Sequence, residues 1–132
     1  MLKKIDHIGI AVPNLDEIKY TLHEAFELLP EFEEEVTDQK VKVAGYHVGE
    51  STIEYLQPIA TDTPIARFLD KKGTGIHHIA YRVENLKDTL IRLQDKGFKL
   101  IDELPRNGAE GKKIAFIHPK STNGILIELC EI

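Results

Sequence analysis

The 132-residue chain has no tryptophan, one methionine and one cysteine, Cys130. A lone cysteine excludes an internal disulfide and fits a reducing compartment. No apolar run approaches the roughly 20 residues that span a bilayer, so a membrane segment is not expected. The N-terminus, MLKKIDHIGI, lacks a long apolar stretch and a small-residue cleavage site, and no signal peptide is expected there. Positive charge is also scarce. Seventeen Lys and Arg stand against 22 Asp and Glu, a formal net charge of -5, whereas a nucleic-acid partner calls for a basic face. The chain is therefore expected to bind neither nucleic acid nor membrane and to work in the cytoplasm. A local cluster can still serve an anionic small molecule, and Arg106, Lys112 and Lys113 could form one. The acidic run around Glu33, Glu34 and Glu35 reads as a solvated face.

What is present is a globular composition, 42% hydrophobic and 30% charged, with an internal repeat. Residues 6–15 read DHIGIAVPNL and residues 77–86 read HHIAYRVENL. A shift of 71 pairs His7 with His78, Ile8 with Ile79, Val12 with Val83, Asn14 with Asn85 and Leu15 with Leu86. A half-length period means two copies of one module, each too small to bury its own sheet face. Each copy opens on an alternating Ile- and Val-rich strand, 4–12 or 76–83. Asn14 and Asn85 then cap helices over about 16–29 and 86–96. Apolar stripes run through Ile18, Leu22, Ala25 and Leu29 in the first helix, and through Leu86, Leu90 and Leu93 in the second. Gly97 should stop the second helix. Three strands follow in each copy, at 33–37, 40–48 and 51–57, then at 98–103, 113–118 and 124–130. The expected fold is α+β, two tandem βαβββ modules in a single domain of residues 1–132. Module 1 covers about 4–58, a linker with a short helix at Pro64 covers about 59–75, and module 2 covers about 76–131.

Alternation assigns the faces. Ile8, Ile10 and Val12 point toward the helix, while His7 points the other way with the small residues Gly9 and Ala11. His78 likewise shares its face with Ala80. The last strand of each module carries a carboxylate among apolar neighbours, Glu54 in TIEYL and Glu128 in LIELC. Such a group is costly to bury unless something neutralises it, and a metal is one such partner. Two His and two Glu in repeat register would make an N2O2 site suited to Co2+, Mn2+, Ni2+ or Zn2+. His77 points to the opposite face and reads as structural or as a support to a ligand rather than a ligand itself. His23, His47 and His118 have no repeat partner, and Cys130 reads as a packed thiol.

Three segments, DHIGIAV, GIHHIA and KIAFIHPKSTNGILIELCE, together resemble the methylmalonyl-CoA epimerases of the vicinal oxygen chelate superfamily. The resemblance runs from Asp6 to the C-terminus, and its HPKST-containing block is the most specific part. It implies a curved mixed sheet with a divalent metal on the concave face, Co2+ foremost, and a homodimer that takes an acyl-CoA thioester. The family's metal ligands carry over to His7, Glu54, His78 and Glu128. The implied reaction interconverts (2R)- and (2S)-methylmalonyl-CoA through a metal-stabilised enolate. Two positions depart from the pattern. Some members have Gln where this chain has Glu54, which makes the set similar to that of bacterial glyoxalase I. Some have a further glutamate, proposed as a base, where this chain has Val43. Either the base lies elsewhere or a ligand carboxylate takes that role, and Glu54 and Glu128, which hold related positions in the two modules, are expected to act both as ligands and as the acid/base pair. Lys112, Lys113 and Lys120 are candidate contacts for the anionic substrate. A glyoxalase I-type lyase, an extradiol dioxygenase and a non-enzymatic binding module of the same fold are the alternatives, since fold alone does not choose among them.

Overall fold

The internal repeat appears in the computed structural model, which describes Met1–Ile132, as one run of elements made twice. The first run is β1 (Lys4–Ala11), α1 (Leu15–Phe26), β2 (Phe32–Val36), β3 (Val41–Val48) and β4 (Ser51–Pro58). Helix α2 (Pro64–Lys72) follows, opened by Thr63 and Pro64 as a helix start requires. The second run is β5 (Gly75–Arg82), α3 (Leu86–Asp95), β6 (Arg106–Asn107), β7 (Lys113–Ile117) and β8 (Ile127–Glu131). The chain divides into two compact units. One is Ile8–His77; the other joins Met1–His7 to His78–Ile132, so β1 begins in one unit and ends in the other.

In the Ile8–His77 unit the strand order is β2-β3-β4-β1. β4 runs parallel to β1, with Ile8–Ala11 against Ile53–Leu56, and the remaining pairs are antiparallel. Val12, Leu15, Ala44, Tyr46 and Tyr55 form the core, with Ile10, Ile18, Leu22 and Leu28 packed against it. The other unit has the order β1-β5-β8-β7-β6, with β5 and β8 parallel and β7 antiparallel to β8. Its core is Val83, Leu86, Leu90, Ala115, Ile117 and Leu129. Full burial of Leu86 and of Leu90 contributes roughly 1.5–3 kcal/mol each.

Each helix is fastened to its own sheet in the same way. Asn14 Oδ1 accepts from Asp16 N–H at 2.8 Å and Asn85 Oδ1 from Asp88 N–H at 3.1 Å. The last strand of each run returns one more acceptor: Gln57 Oε1 takes the Leu15 N–H at 2.8 Å, and Glu131 Oε1 takes the Leu86 N–H at 2.9 Å. Gly97, at φ 88°, ends α3 with its N–H on Gln94 C=O and that of Phe98 on Leu93 C=O.

Three expectations are corrected. Helix α1 stops at Phe26, because Glu27 turns left-handed at φ 53°. Ala25 and Leu29 are consequently exposed, and Leu28 packs in their place. No strand forms over 98–103. The N–H groups of Ile101 and Asp102 both converge on Phe116 C=O, and the Asp102 carboxylate takes the Phe116 N–H, so a side chain replaces the ladder. Only a Leu100–Ile117 bridge and the two-residue β6 remain. The last strand begins at Ile127 rather than 124, after a turn in which Gly124 sits at φ 90°. No helix is long and apolar enough to cross a membrane.

Candidate metal centre

Three of the four residues singled out by the repeat meet within one unit. His7 Nε2 lies 3.2 Å from His78 Nε2. Glu128 turns one carboxylate oxygen toward each ring, Oε2 at 3.4 Å from His7 Nε2 and Oε1 at 3.4 Å from His78 Nε2. All three are buried, as the apolar surroundings of their strands require. Strand register brings them together: Ala80, two residues beyond His78, is the β5 partner of Glu128. The two imidazoles meet edge to face with centroids 5.3 Å apart, and the Phe116 ring closes on His78 at 5.4 Å.

The spacing tests whether this group suits a cation. Ligand bonds of roughly 2.1 Å put neighbouring donor atoms about 3.0 Å apart at right angles and about 3.4 Å apart at the tetrahedral angle. The 3.2 Å between the two ring nitrogens falls in that interval, and each Glu128 oxygen lies at its upper end, 3.4 Å from a different ring nitrogen. The chemistry agrees. Two imidazole nitrogens and a carboxylate lie within 4.8 Å of one another, and a divalent ion is a partner that all three can share as acceptors.

Asp6 settles the orientation of the first ligand. Its side chain is fully buried, and Oδ1 lies 2.8 Å from His7 Nδ1. That bond places the His7 proton on Nδ1 and leaves the Nε2 lone pair for the site. The same carboxylate accepts from Lys112 Nζ at 2.8 Å and from Arg82 Nη2 at 2.6 Å and Nε at 3.0 Å. Burial by itself would raise the Asp6 pKa. Hydrogen bonds from His7, Lys112 and Arg82 outweigh it and hold the group well below the usual carboxylate range, so it stays charged.

Glu54 belongs to the Ile8–His77 unit and is buried there on β4, with 4% of its surface exposed. Its β1 partner is Gly9, two residues beyond His7 in the chain, just as the partner of Glu128 lies two residues beyond His78. The two glutamates therefore hold equivalent registers. Gly45 flanks Glu54 on the β3 side.

The other singled-out residues fall outside this group. His77 packs edge to face on Phe68, with centroids 5.1 Å apart, and burial pulls its pKa down to about 4. His118 caps a turn, its Nδ1 accepting from Lys120 N–H at 3.0 Å, and His23 and His47 are exposed. Cys130 is fully buried, and burial pushes its thiol pKa up. Lys113 Nζ donates to Asn107 Oδ1 at 2.6 Å, Arg106 pairs with Asp102 at 3.5 Å, and Lys120 is exposed. Lys112, a candidate substrate contact, reaches the buried Asp6. Sequence reasoning did not find Asp6, Arg82 or Phe116. The only available signal was an acid directly before a candidate ligand histidine.

Similarity to known proteins now adds to this geometry. The model of the Glyoxalase/Bleomycin resistance protein/Dioxygenase superfamily matches residues 6–116. An uncharacterized protein of Bacillus subtilis is 44% identical over 98% of this chain and 93% of its own. The ethylmalonyl-CoA/methylmalonyl-CoA epimerase of Cereibacter sphaeroides is 34% identical, with 100% of both chains covered. A Streptomyces coelicolor methylmalonyl-CoA epimerase variant, in complex with 2-nitronate-propionyl-CoA, is similar in structure with a TM-score of 0.94 at 31% identity, over 99% of this chain and 95% of that one. This chain belongs to the glyoxalase/bleomycin resistance protein/dioxygenase superfamily and, within its vicinal oxygen chelate fold, to the methylmalonyl-CoA epimerase family.

Proposed function

We propose that this chain is an isomerase that epimerises methylmalonyl-CoA at C2, using a divalent metal held by His7, His78, Glu128 and Glu54, and that it works as a cytoplasmic homodimer. The single observation that carries this reading is the buried triangle of His7, His78 and Glu128 at ligand spacing. Family membership and the equivalent register of Glu54 support it. The donor set of two imidazoles and two carboxylates suits Co2+, Mn2+, Ni2+ or Zn2+, and the resemblance to the epimerases puts Co2+ first.

The reaction removes a proton from the carbon between a carboxylate and a thioester and returns it on the other face. Its main barrier is the charge that develops on the thioester oxygen. A bound divalent ion would supply Lewis-acid stabilisation of that charge. The chain itself supplies orientation and proton transfer. Asp6 holds His7 in one tautomer, and Phe116 fixes the plane of His78. Val43 on β3 is buried and apolar and does no acid/base work itself. Glu54 and Glu128 take that role at C2, directly or through one water, each serving one face. Lys112 donates to Asp6 and Lys113 to Asn107, which leaves the exposed Lys120 as the candidate lysine for the anionic substrate.

The test is proton NMR of methylmalonyl-CoA in D2O, first with chelated protein and then with Co2+ added. Metal-dependent loss of the C2 proton signal with inversion at that carbon is the expected outcome. Glu128→Gln should lower both metal affinity and turnover. Full activity in that variant would remove Glu128 from the mechanism. Absence of exchange by metal-loaded protein would reject the substrate and direct the next assay to a glutathione hemithioacetal, the glyoxalase I-type reaction.

A further inference from the structure

Alternation along the strands of the Ile8–His77 unit lines up four residues across one face. Phe32 pairs with Gly45, Gly45 with Glu54, and Glu54 with Gly9. Gly45 has no side chain, and the Phe32 ring fills the space that one would take: a Cβ at position 45 would overlap ring atoms Cδ1, Cε1 and Cζ. Gly45 does not adopt a positive φ, so close approach of the ring, rather than backbone conformation, is what calls for glycine here. A side chain at position 45 would be the direct cross-strand neighbour of Glu54, with Cβ atoms about 4.5–5.5 Å apart. The Phe32 ring therefore stands beside Glu54, although its own backbone lies one strand further away.

The other unit fills the equivalent slot by a shorter route. Phe116 on β7 is the direct partner of Glu128, and its ring reaches His78. The same shift of 71 that pairs His7 with His78 pairs Gly45 with Phe116. Each glutamate thus has one phenyl ring next to it. One ring comes from the adjacent strand and the other crosses over a glycine.

We propose that Phe32 is a specificity-determining residue: its ring, lying on Gly45 beside Glu54, limits the size of the alkyl group on C2 of a malonyl thioester. This rests on the reading that Glu54 serves the metal and the reacting carbon. C2 of such a substrate carries a carboxylate, a thioester, a proton and an alkyl group. The first two are polar and are held through their oxygens, and the proton passes to a carboxylate. Only the alkyl group gains from an apolar wall, and that wall must stand within reach of the carboxylate that handles the proton. The Phe32 ring meets both conditions. Because its floor is a glycine, removing the ring opens the volume of a whole phenyl group.

The experiment uses metal-loaded wild type, Phe32→Ala and Phe32→Leu. It measures C2-proton exchange with methylmalonyl-CoA and with its 2-ethyl and 2-propyl homologues. A second readout, independent of turnover, is calorimetric binding of the inert nitronate thioesters carrying methyl or ethyl at the same carbon. One methylene in an apolar pocket discriminates by about 10–200-fold. The ethyl-to-methyl ratio of kcat/KM is expected to rise by at least about 10-fold in Phe32→Ala and by less in Phe32→Leu, with the binding ratio moving in the same direction. Phe32→Leu keeps an apolar side chain on the edge strand, so it carries the test should Phe32→Ala fail to fold. Equal ratios in wild type and a folded variant overturn the role of Phe32 and leave the epimerase reading intact. No exchange by wild type with any of the three thioesters overturns that reading, and this proposal with it.

Discussion

Asp6 carries three cationic or proton-donating partners on one buried carboxylate, and the charge it keeps is what orients His7. Asp6→Asn preserves the shape but removes the charge and leaves Arg82 and Lys112 facing a neutral amide. Loss of such a partner behind a metal-bound histidine weakens metal affinity by about 10–100-fold. Competition between the protein and a chelator for Co2+ is expected to read a loss of that size, and unchanged affinity would deny Asp6 the role. The ligands themselves were legible because a histidine and a buried glutamate each recur at matching places in a repeat. Asp6 was not legible. Strand alternation sends consecutive residues to opposite faces, and a hydrogen bond from one side chain to its chain neighbour leaves no trace in that pattern. Phe32 escaped for a related reason, since its ring crosses a glycine to work one strand away from its own position.

Elements were read well where local chemistry decides them. Asn14 and Asn85 start their helices as expected, and each helix receives a second acceptor from the last strand of its run. Asn85→Ala removes the Asp88 N–H partner and should cost about 1 kcal/mol of stability, as should Asn14→Ala in the other helix. Urea unfolding would measure each loss. The two should also add, because the caps share no partner. Reading failed where side chains stand in for backbone. The 98–103 segment has strand-like composition, yet Asp102 takes the amide that a paired strand would have engaged. Helix α1 failed at its end for want of a glycine, since nothing in Glu27 announces a left-handed turn. Its missing signal also misplaced Leu29, which lies in solvent while Leu28 packs.

At the scale of the molecule, the ligand triangle joins parts of the chain that are far apart in sequence. His7 lies in the Met1–His7 segment, which belongs to the same unit as His78–Ile132 although 70 residues of the other unit intervene. A cation shared by His7, His78 and Glu128 would therefore close a long loop as well as fill a site, and the bound state would exist only in the folded chain. Such linkage has a definite size. Free metal at 100 times its dissociation constant adds about 2.7 kcal/mol to folding stability. For a chain of this length that corresponds to a rise in Tm of roughly 10 °C. Co2+ is expected to produce this rise in wild type and little or none in His78→Ala or Glu128→Gln, as followed by thermal unfolding monitored by circular dichroism. Asp6→Asn should fall between them, since it weakens the site without removing a ligand. An equal rise in all four proteins would show that the cation stabilises the fold somewhere other than this triangle, and the metal centre would have to be sought elsewhere in the chain.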